Sequence, residues 1–247
     1  MKGHAVFDRV SEGRWWDRAW SLVEGCTPCS PGCERCWLQA MDRRFYRGNS
    51  GGLSGARFWS SRLSIPGRVR KPTAWAIWSD LFHADVTDLD IAAALRSASA
   101  AERHVFLLLT KRAERLVSVA HGLAHRWPRN VWAGVTVCNQ EEADRKVSYL
   151  MEFLPPVRFL SVEPMLGPVS LKGLPGWGDR ALSRIHWVIA GAETGPGARP
   201  VDPDWFRTLR DQCRHSGVPF FLKQIDARRG RLLDGRTWDE LPEAPRG

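Results

Sequence analysis

The sequence has little lysine, little tyrosine and no long apolar run. Its 247 residues include two tyrosines and four methionines, and only six of the 36 basic residues are lysine. No stretch approaches the roughly 20 apolar residues of a membrane-spanning helix, so no membrane partner is expected. The opening MKGHAVFDRVSEGRWWDRAW lacks the apolar core of a signal peptide. A cytoplasmic protein with reduced thiols is therefore expected. Repeats and low-complexity linkers are also missing. With 43% apolar residues, the chain fits a single domain over 1–247 with a sizeable core.

Positive charge is present in arginine form. The formal net charge is +9, carried mainly by thirty arginines, and there are thirteen tryptophans. Arginine forks match phosphate oxygens and tryptophans stack on bases, so nucleic acid or a nucleotide is the expected partner. The basic residues are scattered. The run Arg68-Val69-Arg70-Lys71 is too short to serve as a nucleic-acid arm.

Cysteine is concentrated in one place. Cys26, Cys29, Cys33 and Cys36 lie within GCTPCSPGCERCW. Cys29, Cys33 and Cys36 read C-x3-C-x2-C, the spacing that holds a [4Fe–4S] cluster in radical S-adenosylmethionine enzymes. Cys26, Cys33 and Cys36 read C-x6-C-x2-C. Three ligands leave one iron open, whereas a closed structural site uses four. Cys213 reads as a buried helix residue.

After this loop, apolar runs of strand length alternate with amphipathic stretches. The strands are expected at residues 74–78, 104–109, 131–137, 157–162, 185–190 and 218–222, with an earlier one around 20–23. Their runs are continuous rather than alternating, as in strands buried on both faces. Helices are expected at 88–101, opened by a capping box at Thr87, at 112–124, at 141–153, and after Asp202-Pro203 up to Gly217. The alternation predicts an α/β fold, a partial (β/α) barrel of about six parallel strands, with a doubly wound open sheet as runner-up. The Gly-, Ser- and Arg-rich stretch 45–73 reads as an insertion or lid.

Polar residues follow each strand. They are Ser79, Asp80 and His83; Lys111 and Arg112; Thr136, Cys138 and Asn139; Glu163; Glu193; and Lys223. In a parallel barrel these share one rim, where active sites of such barrels lie. Singly, Asp80 reads as a helix cap and His83 as a satisfied loop residue. Lys111 and Arg112 are poorly placed as a plain helix start, because cations are disfavoured there. Carboxylates at the ends of apolar strands, as at Glu163 and Glu193, are costly without partners.

The stretches GCTPCSPGCERCW, WSDLFHADV, LLTKRAERL, VWAGVTVCNQEEADRKV, VRFLSVEPMLGPV, HWVIAGAETGPGARPVDPDWFRTLRDQC, GVPFFLKQ and GRLLDGRTWDELP resemble a family of phage and bacterial three-cysteine-motif proteins regarded as radical-SAM-like. The family pattern maps onto Cys26, Cys33 and Cys36, with Cys29 the alternative third ligand. Trp37 replaces a usual tyrosine, and Cys138 a usual glutamate. The resemblance implies a barrel of radical SAM type, a [4Fe–4S] cluster, S-adenosylmethionine and an external electron donor. It places Ser79 and Asp80 near the methionine amino group, Lys111 or Arg112 near its carboxylate, and Thr136 and Asn139 near the ribose or carboxylate. Glu163, Glu193 and Lys223 would face substrate, and Cys138 would return a hydrogen atom or simply pack.

The reaction so implied is hydrogen abstraction from a nucleic-acid-linked substrate. The sharpest expectation is an isomerase of a hypermodified thymidine in phage DNA. A radical SAM lyase or methyltransferase is a neighbouring reading. A zinc-binding nucleic-acid module, closed by all four cysteines, is the reading from a different class.

Overall fold

The computed structural model describes residues 6–41, 55–123, 127–226 and 230–243. The first strand, β1 (Arg18–Trp20), is followed by β2 (Val23–Cys26), the cysteine loop and the short helix α1 (Trp37–Met41). Strand β3 (Gly55–Phe58) pairs antiparallel with β2, placing Gly55 opposite Cys26. Then β4 (Ala74–Ile77), α2 (Asp88–Ala100), β5 (Val105–Thr110), α3 (Ala113–Gly122), β6 (Val131–Val137) and α4 (Gln140–Met151) alternate. The chain ends with β7 (Arg158–Val162), β8 (Trp187–Gly191), α5 (Pro203–His215) and β9 (Phe220–Gln224).

Seven strands form one parallel sheet in the order β1-β4-β5-β6-β7-β8-β9, curled into a half-barrel. A doubly wound sheet would reverse its order partway, and this one never does. One boundary differs from the sequence expectation. The first strand ends at Trp20, where a tight turn brings the Leu22 N–H to the Trp20 carbonyl, and β2 leaves the sheet for β3. Between β7 and β8 the chain makes a 3-10 turn, Asp179–Arg184. Of the stretch 45–73, residues 45–54 lie outside the described residues. The remainder packs against α2 and the turn before β5, where Ser97 donates to the Leu63 carbonyl and His104 bonds the Pro66 carbonyl.

Helix starts follow local chemistry. Thr87 and Asp90 exchange both bonds of the capping box. Asn139 and Asp202 cap α4 and α5 through their side chains.

The helices cover one face of the sheet. The other, inner face is filled by Phe7, Trp15, Trp132, Phe159, Trp187 and Phe221. Their rings meet at 5.5 to 6.4 Å between centroids, within the range of favourable aromatic pairs. Gly134 on β6 makes room for this packing, since a Cβ there would lie 2.5 Å from the Phe159 ring. Six of the thirteen tryptophans are buried: Trp15, Trp20, Trp75, Trp132, Trp187 and Trp238. The tryptophan excess that suggested base stacking is in large part a core requirement. Among the described residues, no helix is long and apolar enough to cross a membrane.

Candidate functional site

Strand alternation builds the site. Inner-face residues recur every second position. Along β7 the order Phe159, Ser161, Glu163 moves from aromatic floor to polar rim. Along β6 it is Trp132, Gly134, Thr136, and on β9 it is Phe221, then Lys223. Above the aromatic floor, at the C-terminal strand ends, lies a cavity of about 410 Å³. All four clustered cysteines line it. So do Ser79, Asp80, Lys111, Arg112, Thr136, Glu163, Glu193 and Lys223.

The cysteine loop is fastened to this rim. The Ser79 hydroxyl donates to the Gly25 carbonyl. Arg112 donates to the Thr27 carbonyl at 2.7 Å and to its hydroxyl at 3.1 Å. His83 Nδ1 accepts the Asp85 N–H, so its Nε2 donates to the Thr27 hydroxyl at 2.8 Å. Burial and Arg112 lower the His83 pKa, favouring that neutral ring. Ser30 caps the turn Pro31–Cys33 by accepting the Gly32 N–H. A Cβ on Gly32 would lie 2.4 Å from the Cys138 sulfur and 3.0 Å from Pro164 Cδ. Only glycine allows this close seating of the loop.

The thiols differ in setting. Cys33 is buried, Cys26 and Cys36 are half-buried, and Cys29 is exposed. Cys26 is 3.7 Å from Arg112 Nη1. Its pKa is raised by burial and by Asp80. Hydrogen bonding from Cys29, aided by Lys111, pulls Cys33 down to about 5. A thiolate is the form that ligates metal. Among the described residues, no three His, Cys, Asp or Glu side chains are grouped to hold a metal ion.

The polar strand ends divide into committed and free groups. Asp80 accepts from Thr110 at 2.7 Å, Arg112 at 2.8 Å and the Phe82 N–H at 3.0 Å. Glu193 is forked by Arg199, which also reaches Glu34 and the Pro31 carbonyl. Burial opposes charge on Glu193, but Arg199 holds its pKa below the usual carboxylate range. Glu163 pairs with Lys223. Lys111 has no ion pair among the described residues. Burial lowers its pKa, but the nearby thiols and Asp80 outweigh that and leave it raised.

Two expected site residues lie elsewhere. Asn139 caps α4, its side chain accepting the Glu142 N–H at 3.0 Å. Cys138 is fully buried beneath Gly32, 3.7 Å from the Ser30 hydroxyl. Neither lines the cavity: Asn139 is turned to the start of α4, and Cys138, though of the same parity as Thr136, is covered by Gly32 of the cysteine loop. Two features escape a reading of strand ends, and a third, Ser161, stands in the fourth strand-end run without a role assigned to it. Arg199 is remote in sequence from the loop it clamps. Glu142 and Lys146 form a buried pair behind Cys138 that looks in sequence like any i,i+4 surface pair. The Ser161 hydroxyl is buried, lines the cavity and has no hydrogen-bond partner among the described residues. Its strand parity is the one signal that could have found it.

A family model described as "Protein of unknown function (DUF5131)" matches residues 10–242. No curated protein and no solved structure matches the chain.

Proposed function

We propose that this chain, which belongs to the DUF5131 family, is a radical S-adenosylmethionine enzyme with a half-barrel of that type. The observation that carries the reading is the joint lining of one cavity. Four thiols, the Lys111 ammonium and the buried Ser161 hydroxyl, the last two without an ion pair or hydrogen-bond partner among the described residues, face the same space. An unsatisfied buried hydroxyl costs about 1–3 kcal/mol, which a bound ligand would offset. Cys26, Cys33 and Cys36 supply three ligands, and a three-ligand set suits a cluster with one open iron better than a closed zinc site.

Cys26, Cys33 and Cys36 would hold the [4Fe–4S] cluster, leaving exposed Cys29 unligated. When bound, the cluster and S-adenosylmethionine supply a carbon radical that removes hydrogen from an unactivated carbon. The protein's part is placement and exclusion of water. Lys111, with no ion pair among the described residues, would meet a cofactor carboxylate, whereas Arg112 is occupied by Asp80 and Thr27. Asp80 and Ser79 act through the loop they fasten, and Thr136 and Ser161 supply hydroxyls to the cavity wall. Glu163 and Lys223 form an ion pair on the far strands and face the substrate. Glu193, held by Arg199, shapes that side.

The substrate assigned is nucleic-acid-linked, with a hypermodified thymidine of phage DNA as its specific form, and the reaction an isomerisation. The arginine-borne charge and the family resemblance support this choice. The test combines reconstituted protein, S-adenosylmethionine, dithionite and modified phage DNA. The expected products are 5′-deoxyadenosine and a nucleoside of unchanged mass but altered chromatographic retention. Methyl gain or fragment loss would indicate transfer or lysis instead. Absence of both 5′-deoxyadenosine and an altered nucleoside would reject the enzyme class.

A further inference from the structure

A second cavity, about 530 Å³, lies beside the first, between the start of α3 and one face of α4. Lys111, Arg112, Arg115, Arg145 and Lys146 line it, against one lining carboxylate, Glu114. Three of these cations are already matched. Arg112 pairs with Asp80, Arg115 with Asp88, and Lys146 with Glu142. Glu114 lies against Tyr149. Lys111 and Arg145 have no ion pair among the described residues. The N-cap position of α3 is Arg112, whose side chain makes no capping bond. The first-turn N–H groups of Ala113, Glu114 and Arg115 therefore lack helical acceptors at residues that line this cavity.

The two cavities share Cys29, Lys111 and Arg112. The first also carries a wall of Trp16, Trp37 and Trp78. Trp37 is 48% exposed, and its ring meets Trp78 at 5.1 Å. Exposed indole offers a stacking face for a flat ring. Arginine forks and free helix N–H groups match the oxygens of a phosphate. A ligand joining a flat ring to a phosphate is a nucleotide.

We infer that the second cavity is a phosphate site, holding the phosphate of the nucleotide whose reacting part enters the first cavity. This rests on reading the first cavity as the reaction chamber. Arg145 and the α3 N–H groups would grip the oxygens, with Lys111 standing in the dividing wall. The phosphate belongs either to a free nucleotide or to a strand, and one experiment separates them.

Equilibrium dialysis of the reconstituted full chain, without reductant, would compare thymidine, thymidine 5′-monophosphate and a short oligothymidylate. The wild type should hold the monophosphate about tenfold more tightly than thymidine, as expected for a charge-assisted contact. Arg145→Ala should abolish that difference, and Arg145→Glu should reverse it. Arg180→Ala, on an exposed turn outside both cavities, should change nothing. Unchanged melting temperatures would show that the variants fold. An oligothymidylate bound more tightly than the monophosphate assigns the phosphate to a strand, and equal binding to a free nucleotide. Equal affinity for thymidine and its monophosphate, or wild-type behaviour of Arg145→Ala, would overturn the inference. The assay requires no radical chemistry, so a protein that makes no 5′-deoxyadenosine can still pass it, and an active enzyme can fail it.

Discussion

At the scale of single residues, the site depends on how far each polar group is already committed. Arg112 spends its donors on Asp80, Thr27 and Cys26, so it acts as a fastener of the cysteine loop. Lys111, its neighbour, has no such commitment. Sequence reasoning identified both but could not separate them, because the separation depends on where Thr27 and Asp80 arrive in space. Asn139 is a sharper case. As a helix cap, Asn139→Ala should cost about 1 kcal/mol of stability and leave S-adenosylmethionine affinity unchanged. Parallel denaturation and dialysis would check this, and a loss of cofactor affinity at wild-type stability would return Asn139 to the cavity. The competing third ligands can be separated in the same way. Cys26→Ala should lose most of the iron bound on reconstitution and Cys29→Ala should lose little, as read by iron analysis. The reverse pattern would assign Cys29.

At the scale of elements, the parallel strands and the longer helices α2 to α5 were legible because each had a local cause. Continuous apolar runs marked the strands, and Thr87 and Asp202 marked helix starts. The break after Trp20 was not legible, since β2 is drawn out of the sheet by β3, a partner far along the chain. The inner face has consequences that can be tested. Gly134→Ala puts a methyl group against the Phe159 ring and should cost about 1–3 kcal/mol by overpacking, without altering iron content. The buried pair on α4 gives a pH prediction. Burial alone would raise the Glu142 pKa, but Lys146 and the Cys138 N–H hold it below the ordinary value. A depressed folded pKa stabilises fully above the unfolded value, and that contribution is lost as pH falls through the folded one. Acidification should therefore narrow the gap in melting temperature between wild type and Glu142→Gln. At neutral pH, Glu142→Ala should cost about 3–5 kcal/mol, because Lys146 is left buried and unpaired. A pH-independent gap would contradict this assignment.

At the scale of the whole molecule, the curl of the sheet turns scattered sequence positions into one chamber. Strand order without reversal brings the C-terminal ends of β4 to β9 around the loop that follows β2. Most of that gathering could be foreseen from polar residues placed after apolar runs. The part that could not be foreseen is the division into two cavities, which depends on how α3 and α4 lean against the loop. The central claim is that Cys26, Cys33 and Cys36 grip an iron–sulfur group rather than zinc. Metal and sulfide analysis of anaerobically isolated protein tests it most directly. The account predicts about four irons and four sulfides per chain, lost when these three cysteines are replaced by alanine. One tightly held zinc and no sulfide would contradict it.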